Sequence, residues 1–120
     1  MKRFVIHRHS RQQQQVHWDL MLEVGDALRT YRVNVPPQQW SSATAEAVRI
    51  FDHPLRFLSY QGIVNDGFGR IQRVEQGTYE PLSESDRRLR LQLQGSTLKA
   101  TITLDHISGD RWLLSADQGC

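Results

Sequence analysis

The sequence predicts an all-β fold, a small antiparallel β-barrel with little helix, and three observations carry that expectation. Apolar residues recur with a period of two in several short segments, so that one face of each would be buried if the chain were extended. Glycines at positions 62, 67, 69, 77, 95 and 109 punctuate the later segments, as short antiparallel connections require. No stretch long enough for an α-helix carries an apolar helical face, except weakly from Ser42 to Val48. Many short strands at this spacing build a small barrel or sandwich.

The elements follow in order. Residues 3–8 read as a strand, and 17–24 as the next, with Trp18, Leu20, Leu22 and Val24 on one face. Gly25-Asp26 turns the chain into a third strand at 27–33. Pro36-Pro37 and the polar residues through Ser42 form a loop, after which 46–51 is extended. Further strands are expected at 68–75, 78–81, 88–94, 98–104 and 110–115. Trp18 and Trp112 fall on apolar faces and are assigned to the core, and packing is also favoured for Trp40 over stacking on a base. With no internal repeat, residues 1–120 make one domain. Hydrophobic residues are 38% of the chain and charged residues 23%, enough apolar surface for one core without disulfides. Cys120 is the sole cysteine, which fits a reducing cytoplasm. There is no run of about 18 apolar residues, and the N-terminal segment turns polar too soon for a signal peptide. The expectation is a soluble, cytoplasmic protein with no membrane partner.

The formal net charge is only +2, but Lys2 and Lys99 are the only lysines. The remaining cations are arginines, whose planar forks match phosphate oxygens. The residues that carry chemistry cluster early. In a strand over 17–24, His17, Asp19, Met21 and Glu23 project opposite the Trp18 row, while His7 and His9 share a face of the preceding strand. Asp52-His53-Pro54 closes another strand, with Pro54 fixing the chain direction. Imidazole and carboxylate ligands from separate strands suit Mn²⁺ or Zn²⁺. Taken singly, each histidine reads more readily as a surface residue. His7 and His106 have no evident partner and read as structural.

The order of motifs adds to this reading. His17-Trp18-Asp19-Leu20-Met21-Leu22-Glu23 follows His9, then come Asp52-His53-Pro54-Leu55, the glycine-containing stretch 62–69, Gln76-Gly77-Thr78-Tyr79-Glu80-Pro81, and the closing segments 89–100 and 110–114. This series resembles the 3'-phosphoesterase domain of bacterial DNA ligase D over nearly the whole chain. The resemblance implies a β-barrel that holds Mn²⁺, or alternatively Zn²⁺ or another divalent transition metal, and trims DNA 3' ends by removing a 3'-ribonucleoside and then a 3'-phosphate. By the same resemblance His9, Asp19 and His53 are the metal ligands, and His17 is the catalytic histidine against the phosphate. Glu23 matches a position that supports the strand. DNA or RNA-tipped DNA 3' ends are the implied partners, with a repair ligase or polymerase in trans.

Departures from the family pattern are specific. Met21 stands where the family has arginine, Phe57 where it has tyrosine, and Tyr31-Arg32-Val33-Asn34-Val35 where a lysine is usual. The spacing from His9 to His17 is two residues longer, which calls for a bulged loop. Charge-assisted contacts to phosphate are worth about 1.5 to 3 kcal/mol each, so Arg8, Arg11 and Arg49, together with Arg32 and Arg70, are candidate replacements. The alternative is a catalytically weakened metal- or nucleic-acid-binding module of the same fold.

Overall fold

The computed structural model describes residues 2–11, 15–64 and 69–117. Among these residues nine strands form one antiparallel sheet: β1 (Lys2–Arg11), β2 (Gln15–Val24), β3 (Ala27–Val33), β4 (Ala45–Pro54), β5 (Gly62–Val64), β6 (Gly69–Glu84), β7 (Arg88–Gly95), β8 (Lys99–Ser108) and β9 (Arg111–Asp117). Their order is β1-β2-β3-β4-β9-β8-β7-β6-β5, and β1 also pairs with β6. That pairing closes eight strands into a barrel and leaves β5 as a short flap on β6. The expected all-β barrel is therefore what forms.

Alternation decides what lies inside. Phe4, Ile6, Leu20, Leu22, Tyr31 and Val33 meet Leu91, Leu93, Ile102, Leu104 and Leu114 in the barrel interior. Trp40 joins them, fully buried, with its indole N–H donating to the Val35 carbonyl at 2.9 Å. Trp18 and Trp112 pack against the same core while partly exposed. A second, smaller cluster sits on the outer surface, where Val5, Met21 and Leu28 are covered by Leu55, Phe57 and Leu58. The covering residues belong to a 3-10 turn at Leu55–Leu58. This outer cluster is the platform beside which the candidate site is built.

Three expectations are corrected. The weak helical face at 42–48 is no helix: from Ala45 the chain is already β4, whose small inward alanines pack on the core. The two strands expected at 68–75 and 78–81 are one strand, β6, running through Gly77. That glycine marks a close approach rather than a turn, because a Cβ there would lie 1.9 Å from the Gln94 carbonyl oxygen. The first strand continues beyond residue 8 to Arg11. Gly67, the other residues at 65–68, the glutamines at 12–14 and Cys120 lie outside the described residues.

Candidate active site

In the β1–β2 hairpin His9 stands opposite His17 and His7 opposite Asp19. Facing residues of an antiparallel pair share a side of the sheet, so all four project from the barrel's outer surface. The loop at 12–14, expected to bulge between His9 and His17, lies outside the described residues. The ladder stays in register out to Arg11 and Gln15, so an even number of added residues lengthens it without reversing any side chain. The two-residue turn at Gly25-Asp26, with Gly25 at φ 63°, sets Asp19 opposite Arg32. Arg32 Nε donates to Asp19 Oδ1 at 3.4 Å.

His53 reaches the same surface through an irregularity in β4. Thr30 pairs with Ile50 but Leu28 pairs with His53, so β4 holds one extra residue that reverses its alternation. Without it His53 would point into the barrel. Instead its Nδ1 lies 2.9 Å from Thr30 Oγ1, whose own hydrogen goes to the Leu28 carbonyl at 3.1 Å. Thr30 can then only accept, so Nδ1 of His53 carries the proton and Nε2 keeps its lone pair.

His9 Nδ1 and His17 Nε2 are 3.1 Å apart, and His17 Nε2 is 3.5 Å from Asp19 Oδ2. Donor atoms of His9, His17 and Asp19 all lie within 4.8 Å of one another. His53 lines the same cleft, of about 450 Å³, but lies outside that tight group. Of the residues expected to bind metal, His9 and Asp19 are thus brought together with His17 nearer to them than His53.

Burial lowers the His9 pKa, and the neighbouring His17 lowers it further. Burial also lowers that of His53, against the pull of Asp19. Both imidazoles are therefore neutral near pH 7, as ligation requires. Burial alone would raise the Asp19 pKa, but the hydrogen bonds and charges of His17 and Arg32 outweigh it and hold the carboxyl below its ordinary value. Neutral nitrogens, an ionised oxygen and no thiolate fit a divalent cation such as Mn²⁺ or Zn²⁺. In the same sense, His9 Nε2 is buried without a hydrogen-bond partner. His7 is different: it is fully buried, packs edge-on to Phe57, and burial takes its pKa down to about 4.

The arginines separate. Arg11 and Arg32 line the cleft. Arg8 alternates to the opposite side, in register with Trp18, and does not line it. Arg49 lines a neighbouring trough, 3.9 Å from Asp52. Arg70 is exposed on β6 and lines neither. Arg56, not anticipated from sequence, also lines the cleft and sits over the Phe57 ring at 5.2 Å. Its place just after Asp52-His53-Pro54-Leu55 was the available signal. Glu23 is held by Arg3 at 2.7 Å and does not enter the cleft. Met21 and Phe57, the two positions lacking the family's polar groups, pack into one apolar cluster and form part of the cleft lining.

Comparison with known proteins points to one family. The family model of the DNA ligase D 3'-phosphoesterase domain matches residues 7–106. A multifunctional non-homologous end joining DNA repair protein LigD from Mycobacterium tuberculosis is 28% identical over 119 residues. The match covers 92% of this chain but only 15% of that much longer relative.

Proposed function

Because the chain belongs to the DNA ligase D 3'-phosphoesterase domain family, we propose that it is a divalent-metal-dependent phosphoesterase that processes DNA 3' ends. Its substrates are a terminal ribonucleoside and a terminal 3'-phosphate. The observation that carries this reading is the convergence of His9, His17 and Asp19 within 4.8 Å on an arginine-lined cleft.

Two roles are distinguished by the environments of the histidines. His53 has its Nδ1 proton engaged by Thr30 and its Nε2 free, the arrangement common among ligating imidazoles. We assign it, with His9 and Asp19, to the ion. His17 Nε2 lies 3.5 Å from the Asp19 carboxylate and 3.1 Å from His9 Nδ1, and we assign it to giving a proton to the leaving oxygen. A bound Mn²⁺ or Zn²⁺ would polarise a phosphoryl oxygen and offset its growing charge. Arg32 and Arg11 hold the other oxygens, taking up part of the work for which Met21 and Phe57 offer no polar group. The same two apolar positions favour a second reading, in which a metal- or nucleic-acid-binding module retains little hydrolysis. On either reading, repair ligase or polymerase activities would meet the same DNA end in trans.

Asp19→Ala should abolish Mn²⁺ uptake measured by calorimetry. His17→Ala should leave uptake largely intact and lower release of phosphate from a 3'-phosphate primer-template by about 100-fold or more. Unchanged Mn²⁺ binding by Asp19→Ala would remove the metal site, and lost binding by His17→Ala would move His17 from the proton to the ion.

A further inference from the structure

Phe51 is out of place for an apolar residue. It is 74% exposed, although its neighbours on β4 are half-buried or polar. One face of its ring is stacked on His53, with centroids 4.7 Å apart and planes inclined by 19°. The opposite face is open. The residue arises from the same irregularity that turns His53 outward, since the extra position of β4 falls between Ile50 and His53.

Beyond Phe51 lies a trough of about 630 Å³. It exists because β4 outruns its partner: β9 pairs with β4 only from Ala45 to Val48, while β4 continues to Pro54. The far wall is the β8–β9 turn, tied to β4 by the Arg49 N–H donating to the Asp110 carbonyl at 2.8 Å. Arg32 and Phe51 line both the trough and the cleft, so the two are continuous. Arg32 and Arg49 have side chains 38% and 40% exposed; Arg32 lies 3.4 Å from Asp19 and Arg49 3.9 Å from Asp52, and Asp110 also lines the trough. Trp112 adds a second aromatic wall, held edge-on to Tyr31 at 5.7 Å. Cationic forks beside an open aromatic face, here that of Phe51, are what an unpaired nucleotide requires, a phosphate track and a stacking surface.

We propose that this trough seats the primer-side nucleotide adjoining the processed 3' phosphate, with its base stacked on the open face of Phe51 and its 5' phosphate drawn by Arg49. The inference rests on the proposed reading of the cleft as a 3'-end phosphoesterase. The primer-side nucleotide is the occupant because it is common to both substrates of that reading, whereas a terminal ribonucleoside is present in only one.

The test uses the full chain with Mn²⁺ and a 3'-phosphate primer-template whose terminal primer base is either normal, abasic or 2-aminopurine. Phe51→Ala should raise KM for the normal primer about 5- to 100-fold, the range one stacked base supplies, with kcat within about twofold. Phe51→Trp should restore KM. The abasic primer should show no difference between parent and Phe51→Ala, and 2-aminopurine fluorescence should be quenched by the parent but not by Phe51→Ala. An unchanged KM, a KM effect that persists on the abasic primer, or weakened Mn²⁺ binding by Phe51→Ala would overturn the inference, the last because Phe51 would then only prop His53. If the parent hydrolyses nothing, the phosphoesterase reading falls, and the 2-aminopurine quench still decides whether a base stacks on Phe51.

Discussion

The hydroxyl hydrogen of Thr30 is given to the Leu28 carbonyl, and this one commitment determines which nitrogen of His53 is left for the cleft. Thr30→Val keeps the shape and deletes the acceptor, so the imidazole loses its fixed tautomer. Mn²⁺ affinity should fall about 10- to 100-fold, the usual effect of removing an outer partner of a ligating histidine, while the fold loses only about 1 kcal/mol. Calorimetry and a denaturant titration separate the two quantities, and unchanged Mn²⁺ affinity would mean that His53 is not a ligand. Residues of this kind were not legible in the sequence, because Thr30 acts through a neighbour 23 positions away. The place of Arg32 opposite Asp19 could have been found. A two-residue turn at Gly25-Asp26 pairs Val24 with Ala27, and counting back along both strands puts Arg32 opposite Asp19. His9, His17, Asp19 and His53 were legible as a motif, but alternation alone misdirects at His53, since the extra β4 residue has no sequence signal.

Among the elements, β6 carries the most unusual burden. Its Glu75 is buried and accepts hydrogen bonds from the backbone N–H groups of Gln76, Ser96, Thr97 and Leu98 and from the Thr97 hydroxyl. One carboxylate thereby organises the β7–β8 turn. Burial would raise its pKa, but these donors outweigh burial and hold it below the ordinary glutamate value. A depressed folded pKa means that the stabilisation is fully present above the unfolded value, about 4.3, and is lost as pH falls through the folded one. Glu75→Gln should therefore lower stability by about 2 to 3 kcal/mol at pH 7, and the difference from the parent should shrink as unfolding is measured at progressively lower pH below about 4. A constant difference across that range would contradict the charged cage. The strands themselves were largely legible, β2 and β3 nearly to their ends, because alternation is local. The β1–β6 pairing that closes the barrel was not, as it joins segments about 70 residues apart through contacts that no local period encodes.

At the scale of the whole molecule, a closed barrel uses its interior for packing and leaves its chemistry outside, on β1 to β4, where an apolar cluster and a 3-10 turn build a local floor. Among the described residues, no helix is long and apolar enough to cross a membrane. Charge is arranged with the same economy. Net charge is only +2, and many arginines are already neutralised within the fold: Arg3 by Glu23, Arg29 by Glu84, Arg88 by Asp105 and Arg111 by Glu46. On the proposed reading the attraction for a nucleic acid comes from the cations that line the cleft and trough, Arg11, Arg32, Arg49 and Arg56, of which Arg32 and Arg49 are shared with Asp19 and Asp52. Such a patch neutralises about two to three phosphates, each contributing about 0.7 to 0.9 to the slope of log affinity against log salt. Binding of a primer-template, followed by fluorescence anisotropy, should weaken about 7- to 40-fold between about 50 and 200 mM salt. Arg49→Gln should reduce the slope by about 1. A slope near zero would remove electrostatics from recognition, and one of about 6 or more would require a cationic surface far larger than the cleft and trough supply.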